Sequence, residues 1–478
     1  MRLTLQKLLD ATGGCLVRGE ADTLIESFSN DSRSIARGGC FVAIRAERDG
    51  HDFIDDAAQR GAVVALTDRA IDDAVGKGLA VVLVDSSVAA LAHVARRVRD
   101  EILQDASVVG ITGSTGKTST KDLCVAAMRD LRLHANSQSF NNEIGLPLTM
   151  LDAACDTDVL ILEMGARFRG NIRELCEIAR PAIGVITNIG LAHAEHLGGV
   201  AGVAATKGEL LESLPLDGFA IIPSGEFSKQ LSARTQSEKI RVGTDLAERP
   251  DVLVRVLALD DQLRPTVGVD SPWGSVEMKV GLRGAHQATN GAMALIVALR
   301  CGVEIEAAAA GIATATGSNW RMEISKLDDN ITMINDAYNA NPTSMRAAIE
   351  ALASAPCRGR RIAILGAMRE IGAASEHEHR KLGALLVDAD IDTLICVGDE
   401  GQWIAMGAEN RNDSVGGTAL DTVEAVKNAA EAGESAVRIV RPGDTVLLKA
   451  SRAIGLESVA RRLEGLAPAS GTASGDAQ

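Results

Sequence analysis

The sequence is poor in aromatic residues, which make up 2% of its 478 residues, and it contains one tyrosine, Tyr338. It has no block of Lys or Arg, and its formal net charge is −15. A nonspecific nucleic-acid-binding protein would show a basic face or stripe, so no nucleic-acid partner is expected. No run approaches 18 consecutive apolar residues, and the N-terminus lacks an apolar segment before a cleavage site. We therefore expect a soluble, cytoplasmic protein without membrane insertion.

The eight cysteines are scattered along the chain and include no Cys-x-x-Cys pair and no Cys/His spacing typical of a metal site. This pattern argues against a disulfide framework and against a structural zinc site. It predicts reduced, mostly buried cysteines of a cytosolic protein.

The chain is too long for one hydrophobic core, which predicts about three domains. Because short apolar runs alternate with helical stretches, we predict an α/β protein. The predicted domains are a small N-terminal α/β domain (1–100), a central P-loop ATPase domain with a parallel sheet (101–318) and a C-terminal Rossmann-like domain (319–478). In residues 238–280 apolar and polar residues alternate more strongly, which predicts a small antiparallel insert. The small and polar residues 466–478 predict a disordered tail.

The strongest local signal is the segment GITGSTGKTST at residues 110–120, between an apolar run and a helix-forming stretch. Glycines let backbone N–H groups turn towards phosphate oxygens, and a helix N-terminus favours negative charge. The lysine can reach the β- and γ-phosphates, and the threonine after it can hold Mg²⁺, which argues against the dinucleotide turn of a dehydrogenase. The predicted ATP-binding residues are Gly113, Ser114, Thr115, Gly116, Lys117 and Thr118.

Three further residues of the central region are candidates for a role in chemistry. Glu163 ends the apolar run TDVLILE, where a carboxylate suits Mg²⁺, although a solvated strand-end carboxylate is the alternative. His193 lies in the loop after the next apolar run, and it is either a catalytic or metal-binding group or an ordinary surface histidine. Lys207 stands in a helical stretch and, from its residue type alone, is an ordinary solvated lysine.

In the C-terminal region, the segment NDAYNANP follows a strand-like run and precedes a helix expected to begin near Thr343. Its polar residues are Asp336, Tyr338, Asn339 and Asn341. A structural turn would need Asn and Pro, but neither the aspartate nor the only tyrosine, so the segment favours a functional role.

These segments occur in the order and at the spacing that resemble the Mur ligases of peptidoglycan synthesis. The resemblance covers nearly the whole chain and is carried by GSTGKT, SFNNEIGLPLTML, EMGARFRGNI, NIGLAHAEHLGG, ATKGELL, GAHQATNGAMA, WRMEI and NDAYNANPTSM. The N-terminal segment SNDSRSIARGGCFVAIRAERDGHDFI resembles the family segment that holds a uridine nucleotide. The chain departs from the family pattern at Gln287, where asparagine is more common, and at Asn319-Trp320, which replaces Pro-Gly.

The resemblance implies an ATP-dependent ligase that uses Mg²⁺ to join D-alanyl-D-alanine to UDP-N-acetylmuramoyl-tripeptide through an acyl phosphate. A monomer is expected. One alternative is a sister Mur ligase that adds one amino acid to the UDP-linked dipeptide precursor. Another is a nucleotide-binding regulator without ligase activity, although the chain has no Asn-Lys-x-Asp guanine motif.

The resemblance also implies roles for individual residues. It makes Lys117, Lys207 and His193 catalytic and adds Glu163 and His193 to Thr118 as magnesium ligands. Lys207 matches the lysine that the family carbamylates, which turns a cation into an anion that can bind or orient Mg²⁺. The further nucleotide-binding residues that it implies are His286, Asn290, Arg321 and Asp336. The substrate-binding residues that it implies are Ser32, Arg33, Asn141, Asn142, Tyr338 and Asn339.

Overall fold

The computed structural model describes residues 2–136, 140–327, 330–416 and 420–465. Within these residues the main sheets draw their strands from residues 15–83, 107–279 and 323–449, with hydrophobic clusters on their faces. This arrangement confirms the predicted α/β fold class. The predicted domain boundaries near residues 100 and 318 stay a prediction, and the predicted disordered tail lies outside the described residues.

The N-terminal region forms a small α/β unit. Its strands are β1 (Leu3–Thr4), β2 (Cys15–Arg18), β3 (Leu24–Ile25), β4 (Ser27–Ser29), β5 (Gly39–Val42), β6 (Val64–Thr67) and β7 (Ala80–Leu83). Its helices are α1 (Leu5–Thr12), α2 (Ile54–Gln59) and α3 (Ser87–Glu101). Its main sheet has the order β2-β7-β6-β5-β4, in which only β2 runs antiparallel to its neighbour.

The central region is built on a mostly parallel sheet. Its strands are β8 (Ser107–Thr112), β9 (Leu133–Ala135), β10 (Val159–Glu163), β11 (Ile183–Ile186), β12 (Phe219–Pro223), β13 (Glu238–Gly243), β14 (Val252–Leu259), β15 (Pro265–Ser271) and β16 (Gly274–Lys279). Its helices are α4 (Lys117–Ala127), α5 (Gly145–Asp152), α6 (Asn171–Ala179), α7 (Ala194–Leu197), α8 (Gly199–Glu212), α9 (Ser228–Ser232), α10 (Gln287–Arg300) and α11 (Ile305–Ala313). Strands β8, β10 and β11 are fully apolar in their centres and lie adjacent, as expected for buried parallel strands.

The prediction of a small antiparallel insert at residues 238–280 is confirmed only in part, because the antiparallel strands belong to the central sheet. The central sheet has the order β16-β15-β14-β13-β12-β11-β8-β10-β9, so these residues extend it. Strands β13 and β14 continue the parallel pairing, and only β15 and β16 add antiparallel hairpins. The alternating sequence pattern reflects an edge of the sheet with one exposed face.

The C-terminal region forms another α/β unit. Its strands are β17 (Glu323–Lys326), β18 (Thr332–Asn335), β19 (Arg361–Gly366), β20 (Thr393–Val397), β21 (Thr422–Val426) and β22 (Thr445–Lys449). Its helices are α12 (Pro342–Ser354), α13 (Ser375–Asp388), α14 (Gly401–Ser414), α15 (Ala429–Ile439) and α16 (Glu457–Glu464). The sheet order is β17-β18-β22-β19-β20-β21, and only β17 runs antiparallel to its neighbour. The sequence pattern did not indicate β17 or β21.

The cysteines are free in the described structure, but the expectation that most are buried is wrong. Cys40, Cys124, Cys176 and Cys396 are buried, whereas the other four are partly or well exposed. Among the residues described, no helix has the length and apolar character that a membrane span requires. The cytoplasmic location and the monomeric state stay predictions.

Candidate active site

A cavity of about 840 Å³ lies where the carboxyl ends of strands in the central sheet face the C-terminal region. This is the edge at which parallel α/β sheets bind their ligands. The predicted residues that line it are Ser114, Thr115, Gly116, Lys117, Thr118, Asn141, Asn142, Glu163, His193, Lys207, His286, Asn290, Arg321, Asp336, Tyr338 and Asn339. Gly113, Ser32 and Arg33 are not among the lining residues.

The glycine loop connects β8 to the N-terminus of α4, as the sequence predicts. Gly116 has a φ of 79°, and a Cβ there would lie 2.8 Å from Asn290 Oδ1, so only glycine fits beside α10. The ammonium of Lys117 folds back over the loop and donates to the Gly113 carbonyl at 2.8 Å. Burial lowers the pKa of Lys117, with Arg321 adding to this effect and Glu163 opposing it.

Asn188, which follows β11, holds the glycine loop in shape. Its Oδ1 accepts the N–H of Thr115 at 2.8 Å, and its Nδ2 donates to Thr115 Oγ1 at 2.5 Å. Its backbone carbonyl accepts the N–H of Ser114 at 3.1 Å. The loop is therefore braced by the neighbouring strand end. Sequence analysis missed Asn188, although its position after an apolar run is the signal that identified Glu163.

Glu163 ends β10 with only 1% of its surface exposed. Neither carboxylate oxygen has a hydrogen-bond partner among the described residues. Burying an unpartnered carboxylate is costly, and a hard divalent cation would satisfy it. Because no group of three His, Cys, Asp or Glu side chains is arranged for a metal in the described parts of the chain, an ion here needs other ligands. The buried Thr118 hydroxyl and phosphate oxygens fit that need.

Lys207 lies on α8 and is 1% exposed, so the interpretation of an ordinary solvated lysine is wrong. Within the described residues no carboxylate forms an ion pair with it. Burial lowers its pKa well below the usual value, and the charge of Lys117 lowers it further. Burial in the site therefore disfavours the ammonium form relative to water. Its neighbours three and four residues away on the same helix face, Val203, Ala204, Leu210 and Leu211, are apolar and buried, and sequence analysis did not use this signal.

His193 precedes α7 and is held by a residue of the C-terminal region. Its Nδ1 hydrogen-bonds with the Glu370 carboxylate. Burial lowers the pKa of His193, and the nearby Lys117 and Lys207 act in the same direction while Glu370 opposes them. The half-buried imidazole is therefore not an ordinary surface histidine. Sequence analysis did not single out Glu370, which follows β19 without any local signal.

Side chains at the start of α10 form a small hydrogen-bond network beside the glycine loop. Asn290 Nδ2 donates to Gln287 Oε1 at 2.8 Å. Gln287 Nε2 lies 3.0 Å from His286 Nε2 and 3.4 Å from Ser119 Oγ on α4. Gln287, a departure from the family pattern, thus orients both predicted nucleotide-binding residues while bridging two helices.

The linker that leads into β17 presents Arg321 to the cavity. The Arg321 guanidinium lies 4.0 Å from the ring centroid of Tyr338, in a cation–π contact. Trp320 has a φ of 60°, which the glycine common in the family at this position would adopt without strain. In this chain the Arg452 guanidinium packs over the Trp320 ring at 4.3 Å and helps to hold the indole in place.

Asp336 is fixed from two sides. Its Oδ1 accepts the N–H of Met322 at 3.1 Å, and its Oδ2 forms an ion pair with Lys449 at the end of β22. Lys449 also donates to the Asn339 carbonyl at 3.0 Å. Sequence analysis missed Lys449, which lines the cavity at a strand end.

Three predicted asparagines have identifiable local contacts. Asn142 Oδ1 accepts the N–H of Gly145 at 2.9 Å, at the start of α5. The Asn141 carbonyl accepts the N–H of Gly165 at 2.7 Å. Asn141 and Asn142 both line the cavity. Asn341 caps α12 through a reciprocal pair of bonds with Ser344, which is a structural role.

Ser32 and Arg33 lie in the N-terminal region, apart from the cavity. The Arg33 guanidinium binds both carboxylate oxygens of Asp31, at 2.9 and 2.7 Å. Hydrogen bonds from Arg33 lower the pKa of Asp31 to about 2. Ser32 is buried, and its hydrogen bond lowers the pKa of Asp56. Their role at a uridine nucleotide stays a prediction.

Known proteins are similar in sequence to this chain over most of its length. The Mur ligase middle domain matches residues 111–298, and the Mur ligase, glutamate ligase domain, matches residues 320–452. The UDP-N-acetylmuramoyl-tripeptide–D-alanyl-D-alanine ligase of Mycobacterium tuberculosis is 37% identical over 474 residues, covering 91% of each chain. The chain belongs to the Mur ligase family. An enzyme of the same name from Bacillus subtilis is 32% identical and covers 97% of this Mur ligase and 98% of its own length.

Solved structures agree with this Mur ligase in fold. MurF from Acinetobacter baumannii superposes with a TM-score of 0.86 at 27% identity, covering 97% of this chain and 99% of its own. MurF from Thermotoga maritima, solved in complex with ADP, gives a TM-score of 0.76 at 27% identity, covering 92% and 97%. The resemblance found in the sequence, including its fold, is confirmed.

Proposed function

We propose that this Mur ligase is an ATP-dependent enzyme that joins D-alanyl-D-alanine to UDP-N-acetylmuramoyl-tripeptide, forming the pentapeptide precursor of peptidoglycan. The observation that carries the proposal is the composition of the cavity. It brings the glycine loop and the buried Glu163 and Lys207 together with Arg321 and Asp336 of the C-terminal region. Such a site can hold ATP beside a carboxylate and keep both away from water. Relatives at 37% and 32% identity carry the name of this ligase.

ATP would bind with its phosphates on residues 113–118, where backbone N–H groups and the dipole of α4 favour anions. Lys117 would leave the Gly113 carbonyl and turn to the β- and γ-phosphates. His286, Asn290, Arg321 and Asp336 surround the same space. The complex of the Thermotoga maritima enzyme with ADP supports nucleotide binding by this Mur ligase.

Mg²⁺ would be held by Glu163, Thr118, His193 and a carbamylated Lys207, all of which line the cavity. The ion would supply positive charge to phosphate oxygens as the phosphoryl group transfers. The unpartnered carboxylate of Glu163 is the feature of this chain that supports its presence.

The reaction would proceed in two steps. A carboxylate oxygen of the tripeptide bonds to the γ-phosphorus while the bond to the bridging oxygen breaks, giving an acyl phosphate and ADP. The amine of D-alanyl-D-alanine then attacks the acyl carbon, phosphate leaves, and the nitrogen loses a proton. Lys117 would stabilise charge on the transferring group, and Arg321 and Tyr338 would help to exclude water, which destroys the acyl phosphate.

We propose that Lys207 is carbamylated. Its amine would bond to the carbon of CO₂ and release a proton, which places an anion near the charge of Lys117. Complete burial without a partner carboxylate supports this modification. With ¹³C-labelled bicarbonate, the wild-type protein should show a carbamate resonance in its NMR spectrum that Lys207→Arg lacks. The exposed Lys239→Arg variant is the control and should keep the resonance.

Phosphate release with ATP and Mg²⁺ tests the substrate assignment, each substrate being omitted in turn. Release that requires both UDP-N-acetylmuramoyl-tripeptide and D-alanyl-D-alanine is expected. Release only with the dipeptide precursor and a single diamino acid would identify the sister ligase instead. No dependence on either pair would favour a nucleotide-binding regulator and overturn the ligase proposal.

A further inference from the structure

Two segments meet across the face between the central and C-terminal regions. The first is the loop of His193 and Glu195 after β11, and the second is the turn of Glu370 and Gly372 after β19. The His193 imidazole binds the Glu370 side chain, and the Glu195 N–H donates to the Glu370 carbonyl at 3.3 Å. A Cβ at Gly372 would lie 3.3 Å from Glu195 Cα, so the two backbones approach closely.

Both partners of the side-chain contact have left-handed backbones. The φ of His193 is 60° and that of Glu370 is 63°. Residues other than glycine rarely adopt this conformation, and it persists where the surroundings hold it, often at functional sites. Here two such residues bind each other from different regions of the chain.

The turn that carries Glu370 is braced from within the C-terminal region. The N–H of Met368 donates to His379 Nε2 at 2.9 Å, and the N–H of Arg369 donates to Ser451 Oγ at 2.9 Å. Leu191, on the other segment, packs against the hydrophobic cluster that contains Met368 and Ile371. The carboxylate of Glu370 is therefore presented to His193 by a fixed backbone.

We propose that Glu370 is a positioning residue for the magnesium site. Its carboxylate accepts the Nδ1–H of His193, which fixes the ring orientation and leaves the Nε2 lone pair free for a metal ion. This inference rests on the proposed role of His193 at Mg²⁺. Histidines that bind metals commonly donate their other N–H to a carboxylate, and loss of that partner weakens metal binding about 10- to 100-fold.

Binding of Mn²⁺ in the presence of ADP, followed by electron paramagnetic resonance, tests the proposal without any peptide substrate. Mn²⁺ shares the oxygen-rich octahedral preference of Mg²⁺. Glu370→Ala should weaken Mn²⁺ binding about tenfold or more. Glu370→Gln, which keeps an acceptor oxygen, should weaken it less. The matched control is Glu376→Gln, because Glu376 is exposed on the adjacent helix and pairs with Arg380.

A double substitution shows whether Glu370 acts through His193. In a His193→Ala background, Glu370→Ala should cause no further loss of Mn²⁺ affinity. An unchanged affinity in Glu370→Ala, or a second equal loss in the double variant, would overturn the proposal. Thermal unfolding of each variant identifies any general loss of fold. If only the phosphate-release assay with the peptide substrates failed, the substrate assignment would be wrong and the Mn²⁺ result would still hold.

Discussion

Lys449, at the end of β22, forms an ion pair with Asp336, which directly follows β18. Lys449 is 2% exposed and also donates to the Asn339 carbonyl at 3.0 Å. The same aspartate accepts the N–H of Met322 at 3.1 Å. One buried cation thus holds two strand ends and the linker that carries Arg321 in a single arrangement.

Replacing Lys449 by methionine should leave the largely buried carboxylate of Asp336, 14% exposed, without its cation. We expect the free energy of unfolding to fall by about 3 kcal/mol, the cost of breaking a buried pair from one side. The KM for ATP should rise, because the turn and the linker that carries Arg321 lose their common anchor. Urea denaturation and ATP titration measure the two effects. Lys449→Met combined with Asp336→Asn should recover part of the lost stability, and a double variant less stable than the single one would contradict this account.

Replacing Lys117 by methionine should lower kcat by about 10²- to 10³-fold, because a preorganised charge at the transferring phosphoryl group is lost. Stability should change little, because loss of the hydrogen bond to the Gly113 carbonyl is offset by removal of an ammonium that burial disfavours. Phosphate release and thermal unfolding provide the measurements. Lys239→Met, at an exposed position in the same region, should retain full activity. A stable Lys117→Met protein with normal turnover would show that the glycine loop takes no part in the mechanism.

Replacing Glu163 by glutamine should separate stability from activity. The buried carboxylate has no hydrogen-bond donor among the described residues, so removing its charge should raise the free energy of unfolding of the ligand-free protein by about 1 kcal/mol. The same change should abolish the magnesium dependence of phosphate release, because a neutral amide is a poor ligand for Mg²⁺. Chemical denaturation and a magnesium titration check these outcomes. A destabilised variant would mean that the carboxylate has a structural partner.

The parts of the site that the sequence predicts are those set by local rules. The glycine loop has a fixed spacing, and Glu163 stands where an apolar strand must end, so both positions follow from patterns of a few residues. The same rule applies to Asn188 and Lys449, whose strand-end positions were available in the sequence. The register of the sheet then brings these side chains together, since parallel strands end at one edge.

The remaining features depend on packing between distant segments. Lys207 is expected to be solvated from its residue type, yet it lies on a buried face of α8 and the central region encloses it. Glu370 meets His193 only because a turn of the C-terminal region lies against a loop 177 positions earlier. No periodicity or spacing encodes such contacts. The sheet that residues 238–280 join could not be predicted for a similar reason. Alternation of apolar and polar residues indicates that a strand has one exposed face, but it does not identify the neighbouring strands.

His379 provides a pH-dependent test of the turn that carries Glu370. The imidazole is fully buried, its Nδ1–H donates to the Ser375 carbonyl at 2.7 Å, and its Nε2 accepts the N–H of Met368 at 2.9 Å. Burial lowers the pKa of His379 below its ordinary value of 6.5. Protonation would remove the acceptor that holds Met368, so the folded protein favours the neutral ring.

The stability of the folded protein should therefore depend on pH through His379. Below pH 6.5 the unfolded chain binds a proton that folded His379 resists, so the free energy of unfolding should decrease as the pH falls, by up to about 1.4 kcal/mol per pH unit. Above that pH this contribution is fully present and constant. Urea denaturation between about pH 7.5 and 5.5 should show a shallower dependence in His379→Gln than in wild type. His377→Gln, at an exposed position of the same helix, should keep the wild-type slope. Equal slopes in all three proteins would show that His379 titrates normally and does not hold the turn as a neutral ring.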